Sequence, residues 1–260
     1  MEKWSNEEKK GRWTAYRHPF FHLHAINVFP LETYDRLSAE FAAILKPSLN
    51  GINGVGPKMV KSHPDYDALI LAMNAQLSGG FAPIFTREWI YHLAQLLGLS
   101  VTLRIDGGLH HIPRGSRSGW LHTDLCSAWF DAKVAKENGV VFADRSQCDY
   151  FTGVRRQLTA QPMEYVRAAT MIYYVNNDNW RDGDGGETGL YSTSRSDLGP
   201  TKVIAPENNS LILFECSPHS FHRLRGNPRC SRNSIILWLH TTVEFAEERW
   251  GNAIRRRGST

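Results

Sequence analysis

No two cysteines in this sequence are spaced as CxxC. The four present, Cys126, Cys148, Cys216 and Cys230, are scattered along the chain, which argues against a zinc ribbon or a disulfide framework. No apolar run approaches the roughly 18 residues of a membrane span, and the charged start "MEKWSNEEKKGRW" lacks the apolar stretch of a secretory signal. A reducing cytoplasm is the expected setting, with no membrane partner. Internal repeats and low-complexity linkers are missing. The glycine-rich "GINGVGPKMVKSHP" has neither GxGxxG nor Walker spacing, so it is a weak candidate for a phosphate cradle. A strong excess of one charge is also absent. Lys and Arg number 30 against 26 Asp and Glu, a net charge of +4, and part of the excess falls at the end of the chain in Arg249, Arg255, Arg256 and Arg257. No basic stripe interleaved with aromatics stands out, so no nucleic-acid partner is expected.

What is there is an ordinary globular composition, 42% hydrophobic and 22% charged over 260 residues. The length suits one large domain if the fold is a barrel or sandwich. The first hundred residues read as mainly helical. "PLETYDRLSAEFAAIL" places apolar residues at helical spacing behind Pro30, and "YDALILAMNAQLSG" and "REWIYHLAQLLGL" read as two more helices, ended by Gly79-Gly80 and by Gly98. After Ser100 the texture changes. "VTLRIDGGLHHI" alternates and then breaks at Gly107-Gly108, "AATMIYYVNN" and "NSIILWLHTTV" read as strands, and "TKVIAPENNSLILFE" reads as two strands around an Asn-Asn turn. Short strands at this spacing suggest an all-β sandwich or barrel. The polar stretch from Ala128 to Arg167 reads as an excursion from that core.

"GWLHTDLC" supplies His122 and Asp124. Residues i and i+2 of a strand point to one side, so this imidazole and carboxylate can grip one ion together. A third ligand could come from "SPHSFHRL", which holds His219 and His222. Two histidines and one carboxylate leave three coordination positions open, the arrangement of non-heme Fe(II) oxygenases. Three residues is an odd offset, so on a strand His219 and His222 face opposite ways and do not chelate one ion together. Arg232 and Ser234, again at i and i+2, share a strand face. A guanidinium fork beside a hydroxyl is suited to clamping a carboxylate.

In order along the chain, "HPFFHLHAINVFPLETYDRLSAEF", "IPRGSRSGWLHTD", "MIYYVNNDNW", "DGGETGLY" and "VIAPENNSLILFECSPHSFHRL" with "SRNSIILWLH" resemble segments of the Fe(II)/2-oxoglutarate-dependent dioxygenase superfamily, in its prolyl-hydroxylase-like branch. The resemblance spans most of the chain. It implies a mainly β fold with an α buttress: a double-stranded β-helix (jelly roll, cupin-like) with N-terminal helices packed on one sheet. As a layout it implies a single domain over 1–260, with helix-rich support over 1–100, a jelly-roll core over 101–245 and an excursion at about 126–166. Fe(II), 2-oxoglutarate as co-substrate and O2 are the implied cofactors. Carried over by position, His122, Asp124 and His222 are the metal ligands and catalytic residues, and "SFHR" selects His222 over His219. Arg232 pairs with the 5-carboxylate of 2-oxoglutarate, assisted by Ser234, and Tyr174 hydrogen-bonds the same carboxylate, with Tyr173 competing for the inward position.

Two departures mark this chain. Ile112 stands where relatives often carry a pocket tyrosine, and about forty residues, Leu125 to Tyr165, separate Asp124 from the next core strand. Trp120, Trp129, His110 and Arg117 are candidate pocket residues. A carboxylate at Asp124 argues for hydroxylation over halogenation. The expected activity is hydroxylation of an unactivated C–H of a small molecule: an amino acid, peptide or natural-product intermediate. The alternatives are a protein or peptidyl hydroxylase acting on a macromolecular partner, favoured by an exposed pocket mouth, and a non-catalytic cupin-like binding protein. Oligomeric state is not legible.

Overall fold

The computed structural model of the chain describes residues 12–49, 59–63, 66–74, 77, 79–132, 139–195 and 197–255. The glycine-rich loop before Met59 and the arginines at 256 and 257 lie outside them. Strands β1 (Arg12–Tyr16) and β2 (His22–Ile26) lead into helix α1 (Leu31–Leu49). Then come β3 (Val60–His63), β4 (Tyr66–Ala72), a 3-10 turn over Gly79–Phe85 and helix α2 (Arg87–Leu97). The second half runs β5 (Arg104–Ile112), β6 (Ser127–Asp131), β7 (Val141–Phe142), β8 (Pro162–Tyr174), β9 (Thr188–Tyr191), β10 (Lys202–Ile204), β11 (Ser210–Glu215), β12 (Phe221–Leu224), β13 (Arg232–Thr241) and helix α3 (Val243–Trp250).

Two sheets face each other. The larger has the order β1-β2-β11-β8-β13-β5-β4-β3, with β6 added to β8 and β7 beside β5. The smaller has the order β10-β9-β12, and an antiparallel bridge between His122 and His222 adds the segment carrying His122 to its edge. This interleaving of consecutive strands between opposed sheets is the jelly roll expected. The two strands of "TKVIAPENNSLILFE" illustrate it: β10 pairs with β9 in the small sheet, β11 with β8 and β2 in the large one.

The pleat separates two cores. Tyr173, Met171, Leu211, Leu213, Ile235 and Leu237 point to the helices and pack with Leu37, Phe41, Ile90 and Leu93. Tyr174, Ile172, Ile212 and Phe214 point the other way, into the space between the sheets. The helical buttress is therefore real, and α2 is finished at both ends. Thr86 Oγ1 accepts the Trp89 N–H at 3.1 Å, and Gly98 turns the chain at φ +64°.

Two sequence expectations are corrected. "YDALILAMNAQLSG" is not a helix: its first half is β4, paired with β5 from Leu69↔His111 to Ala72↔Gly108. A short apolar run fits either period, and here the free edge of β5 decides. Likewise β5 does not break at Gly107-Gly108 but runs through them. A Cβ on Gly107 would lie 2.3 Å from the Ile236 carbonyl oxygen, so glycine is what lets β13 approach. Gly107→Ala is expected to lower unfolding stability by about 1–3 kcal/mol, measured by urea denaturation. Stability equal to the unsubstituted chain would contradict this close approach.

Candidate metal centre and carboxylate pocket

A cavity of about 520 Å³ opens between the sheets. At one end, ligand atoms of His122, Asp124 and His222 lie within 4.8 Å of one another. His122 Nε2 is 3.6 Å from Asp124 Oδ1, and His222 Nε2 is 3.5 Å from Asp124 Oδ2. The two histidines are brought together by the backbone. Each donates its N–H to the other's carbonyl, at 3.2 and 2.9 Å.

The tautomers follow from the neighbours. His122 Nδ1 is 2.8 Å from the Trp120 carbonyl, and His222 Nδ1 is 3.0 Å from the Ser220 carbonyl. A carbonyl only accepts, so both Nδ1 atoms donate to the backbone, which leaves both Nε2 atoms on the side of the carboxylate. Asp124 is buried at 4% exposure. Burial alone would raise its proton affinity, but the hydrogen bonds and charges of His122 and His222 hold it well below the usual carboxylate range. Its Oδ2 also accepts from Thr170 Oγ1 at 2.8 Å and Trp238 Nε1 at 2.9 Å, while Arg167 Nη1 reaches Oδ1 at 3.4 Å. The ligand set is two imidazole Nε2 atoms and one carboxylate converging on one point, and it fits a divalent iron ion. His219, by contrast, sits exposed in the turn before β12 and is outside the cluster.

Arg232, Ser234 and Tyr174 come together at the other end. Arg232 is 3% exposed, and its Nη2 lies 3.3 Å from Thr188 Oγ1, which is 2.6 Å from the Tyr174 hydroxyl. Two polar atoms here have no partner: Arg232 Nε and Ser234 Oγ are buried and make no hydrogen bond. A buried guanidinium without an anion is costly, so these orphans mark the place of one. Tyr174 points inward as expected. Tyr173 points to the helices, where its hydroxyl donates to Asn209 Oδ1 at 2.9 Å.

Of the four further candidates, His110 and Trp120 line the cavity, whereas Arg117 and Trp129 do not. Arg117 is an exposed residue near Asp67, and Trp129 lies against Gly153 in the excursion. Residues that sequence reasoning missed are Thr170, Trp238, Thr188 and Arg167. Thr170 and Trp238 were findable, because stepping by two from Tyr174 and from Arg232 reaches them. Arg167 was not. A register shift at Leu239/His240 lets His240 pair with Arg167, skipping Ala168, so the alternation of β8 changes phase. The guanidinium then lies 3.9 Å over the Trp238 ring and donates to the Tyr150 hydroxyl at 3.0 Å.

Residues 141–240 match the family model described as the 2OG-Fe(II) oxygenase superfamily. A prolyl 3,4-dihydroxylase OGFOD1 of Ostreococcus tauri is 31% identical over 102 residues, 36% of this chain and 20% of that protein. A prolyl 3-hydroxylase OGFOD1 of Xenopus laevis is 36% identical over 83 residues, 30% of this chain and 16% of that protein. The match thus spans a fifth or less of the length of these curated relatives. Among solved structures, a Pseudomonas putida prolyl-4-hydroxylase superposes with a TM-score of 0.54 at 13% identity, covering 91% of this chain and 96% of that one. A Trichoplax adhaerens prolyl hydroxylase, solved with a hypoxia inducible factor peptide fragment, gives 0.50 at 16% identity, covering 84% and 82%. At these identities the likeness is one of fold.

His222→Ala is expected to abolish Fe(II) uptake, measured as bound metal per chain after anaerobic loading, while His219→Ala retains it. The reverse result would move the third ligand to the turn.

Proposed function

We propose, for a chain whose residues 141–240 carry a 2OG-Fe(II) oxygenase domain of the prolyl-hydroxylase-like branch, that it is a 2-oxoglutarate-dependent dioxygenase hydroxylating a residue of a peptide or protein. The observation that carries the reading is the pairing of two ends in one cavity, three converging ligand atoms at one and a buried guanidinium without an anion at the other. His122, Asp124 and His222 hold Fe(II). Arg232, Ser234 and Tyr174 take the 5-carboxylate of 2-oxoglutarate. Bound Fe(II), 2-oxoglutarate and O2 supply an oxidation that places one oxygen atom in a substrate C–H bond and leaves succinate and CO2.

The chain's own residues do the rest. Trp120 and Ser220 carbonyls orient the two imidazoles, while Thr170 and Trp238 hold the carboxylate in one rotamer, so the ligand geometry exists before the ion arrives. Ile172, Ile236 and Leu224 line the cavity between the two ends with apolar surface that keeps water out.

A macromolecular substrate is favoured over the small molecule expected from the bare sequence for two reasons. The relatives are named as prolyl hydroxylases. The mouth is also open: the side chain of His122 keeps 41% exposure, and Trp120 at the rim is 58% exposed. The described part of the excursion contributes Phe151 to the cavity wall, and its strand β6 extends the large sheet. Aromatic and apolar walls, with the Arg167 guanidinium near the ligand carboxylate, suit a prolyl-sized ring presented on a backbone.

Anaerobic Fe(II) plus 2-oxoglutarate is expected to give a weak visible charge-transfer band, and metal-loaded protein without the band would overturn the oxygenase reading. Arg232→Ala is expected to weaken 2-oxoglutarate binding at least about thirtyfold, the effect of removing one partner of a buried charge pair. Proline-containing peptides should stimulate succinate formation and gain 16 Da. Stimulation by free amino acids alone would return the assignment to a small molecule.

A further inference from the structure

The large sheet presents its cavity face as a grid. In register across β5, β13 and β8, His110 stands opposite Ser234, and Ser234 stands opposite Tyr174. Two residues along, Gly108, Ile236 and Ile172 make the next row, followed by Asp106, Trp238 and Thr170, whose last two members hold Asp124. Arg232 stands on β13 beside the first row, two residues before Ser234. That first row therefore lies on the face that includes the guanidinium and the supports of the metal carboxylate.

Tyr174 is committed to Thr188. The other two members of the row face the cavity side. Ser234 Oγ is buried without a partner, and the imidazole of His110, only 6% exposed, lines the cavity. A polar ring so deeply buried, next to an orphaned hydroxyl and an orphaned guanidinium, calls for a ligand with several acceptor oxygens. The ring is also neutral at ordinary pH. Burial first, and then the Arg232 charge, push its pKa down to about 3, with Asp124 opposing from the other side. A neutral imidazole adds an N–H donor there without a second fixed charge.

We propose that His110 is a binding residue for 2-oxoglutarate in this protein, donating an N–H hydrogen bond to a carboxylate oxygen from the β5 side while Arg232 and Ser234 hold the molecule from β13. This rests on the oxygenase reading above. It gives β5, where Ile112 offers only apolar surface at the position across from Arg232, a polar contact two residues away.

The test is calorimetric titration of 2-oxoglutarate into protein loaded with Mn(II), which keeps catalysis out of the readout. His110→Leu fills the space without a donor, and His110→Gln keeps one. His110→Leu is expected to weaken binding about tenfold or more, and His110→Gln to stay within about threefold of the unsubstituted protein, with Mn(II) stoichiometry and melting temperature unchanged in both. A His110→Leu protein that binds 2-oxoglutarate as tightly as the parent overturns the assignment, as does one in which only the KM for peptide changes. If the parent itself takes up Mn(II) but binds no 2-oxoglutarate, the oxygenase reading fails and this assignment with it.

Discussion

The site depends on one buried carboxylate being kept charged. Asp124 sits where burial favours its neutral form, and the surrounding structure supplies what reverses that preference: two imidazoles, the Thr170 hydroxyl, the Trp238 indole and the Arg167 guanidinium. These come from β8, β12 and β13 and from the segment after β5. No local stretch could assemble them. The jelly roll can, because its sheets alternate along the chain and bring residues a hundred positions apart to one point.

The surroundings of Arg167 extend that constraint outward. Its Nε donates to Tyr150, whose hydroxyl is 2.7 Å from His240 Nε2, and Asp106 receives Arg145 at 2.9 Å. Burial and the Arg167 charge push the pKa of His240 down to about 3, so this imidazole is neutral. Tyr150 and Arg145 belong to the excursion that in the bare sequence looked like a detour. It supports, from behind, the residues that support the carboxylate.

Much of this was legible in advance, for identifiable reasons. The proposed metal ligands and carboxylate clamp share even spacing, so His122 with Asp124 and Arg232 with Ser234 stand out as HxD and RxS, while their roles come from the family resemblance. Choosing His222 over His219 needed the surrounding pattern, since three residues separate them and periodicity alone does not say which faces inward. Helix α2 was legible because its cap, its apolar stripe and its closing glycine all agree. Strand β4 was not, because "YDALILA" satisfies two periods and only the distant edge of β5 decides between them. The size of the helical support was overestimated for the same reason. Arg167 was hidden by a one-residue irregularity that no local signal announces.

That irregularity at Ala168 makes β8 a strand of two phases. On the Tyr174 side, even-numbered residues face the cavity. Past the shift, Ala168 and Val166 pack with the helices, while Arg167 faces the cavity and Tyr165 packs with Phe130 and Tyr150. The lining of the pocket is thus set partly by counting. If Ala168 were taken into regular pairing instead of being skipped, with no change to any residue that touches the cavity, the guanidinium would turn toward the helices and leave a different cavity wall. Whether one alanine is paired or bulged is a route to new specificity that a comparison of pocket residues alone would overlook.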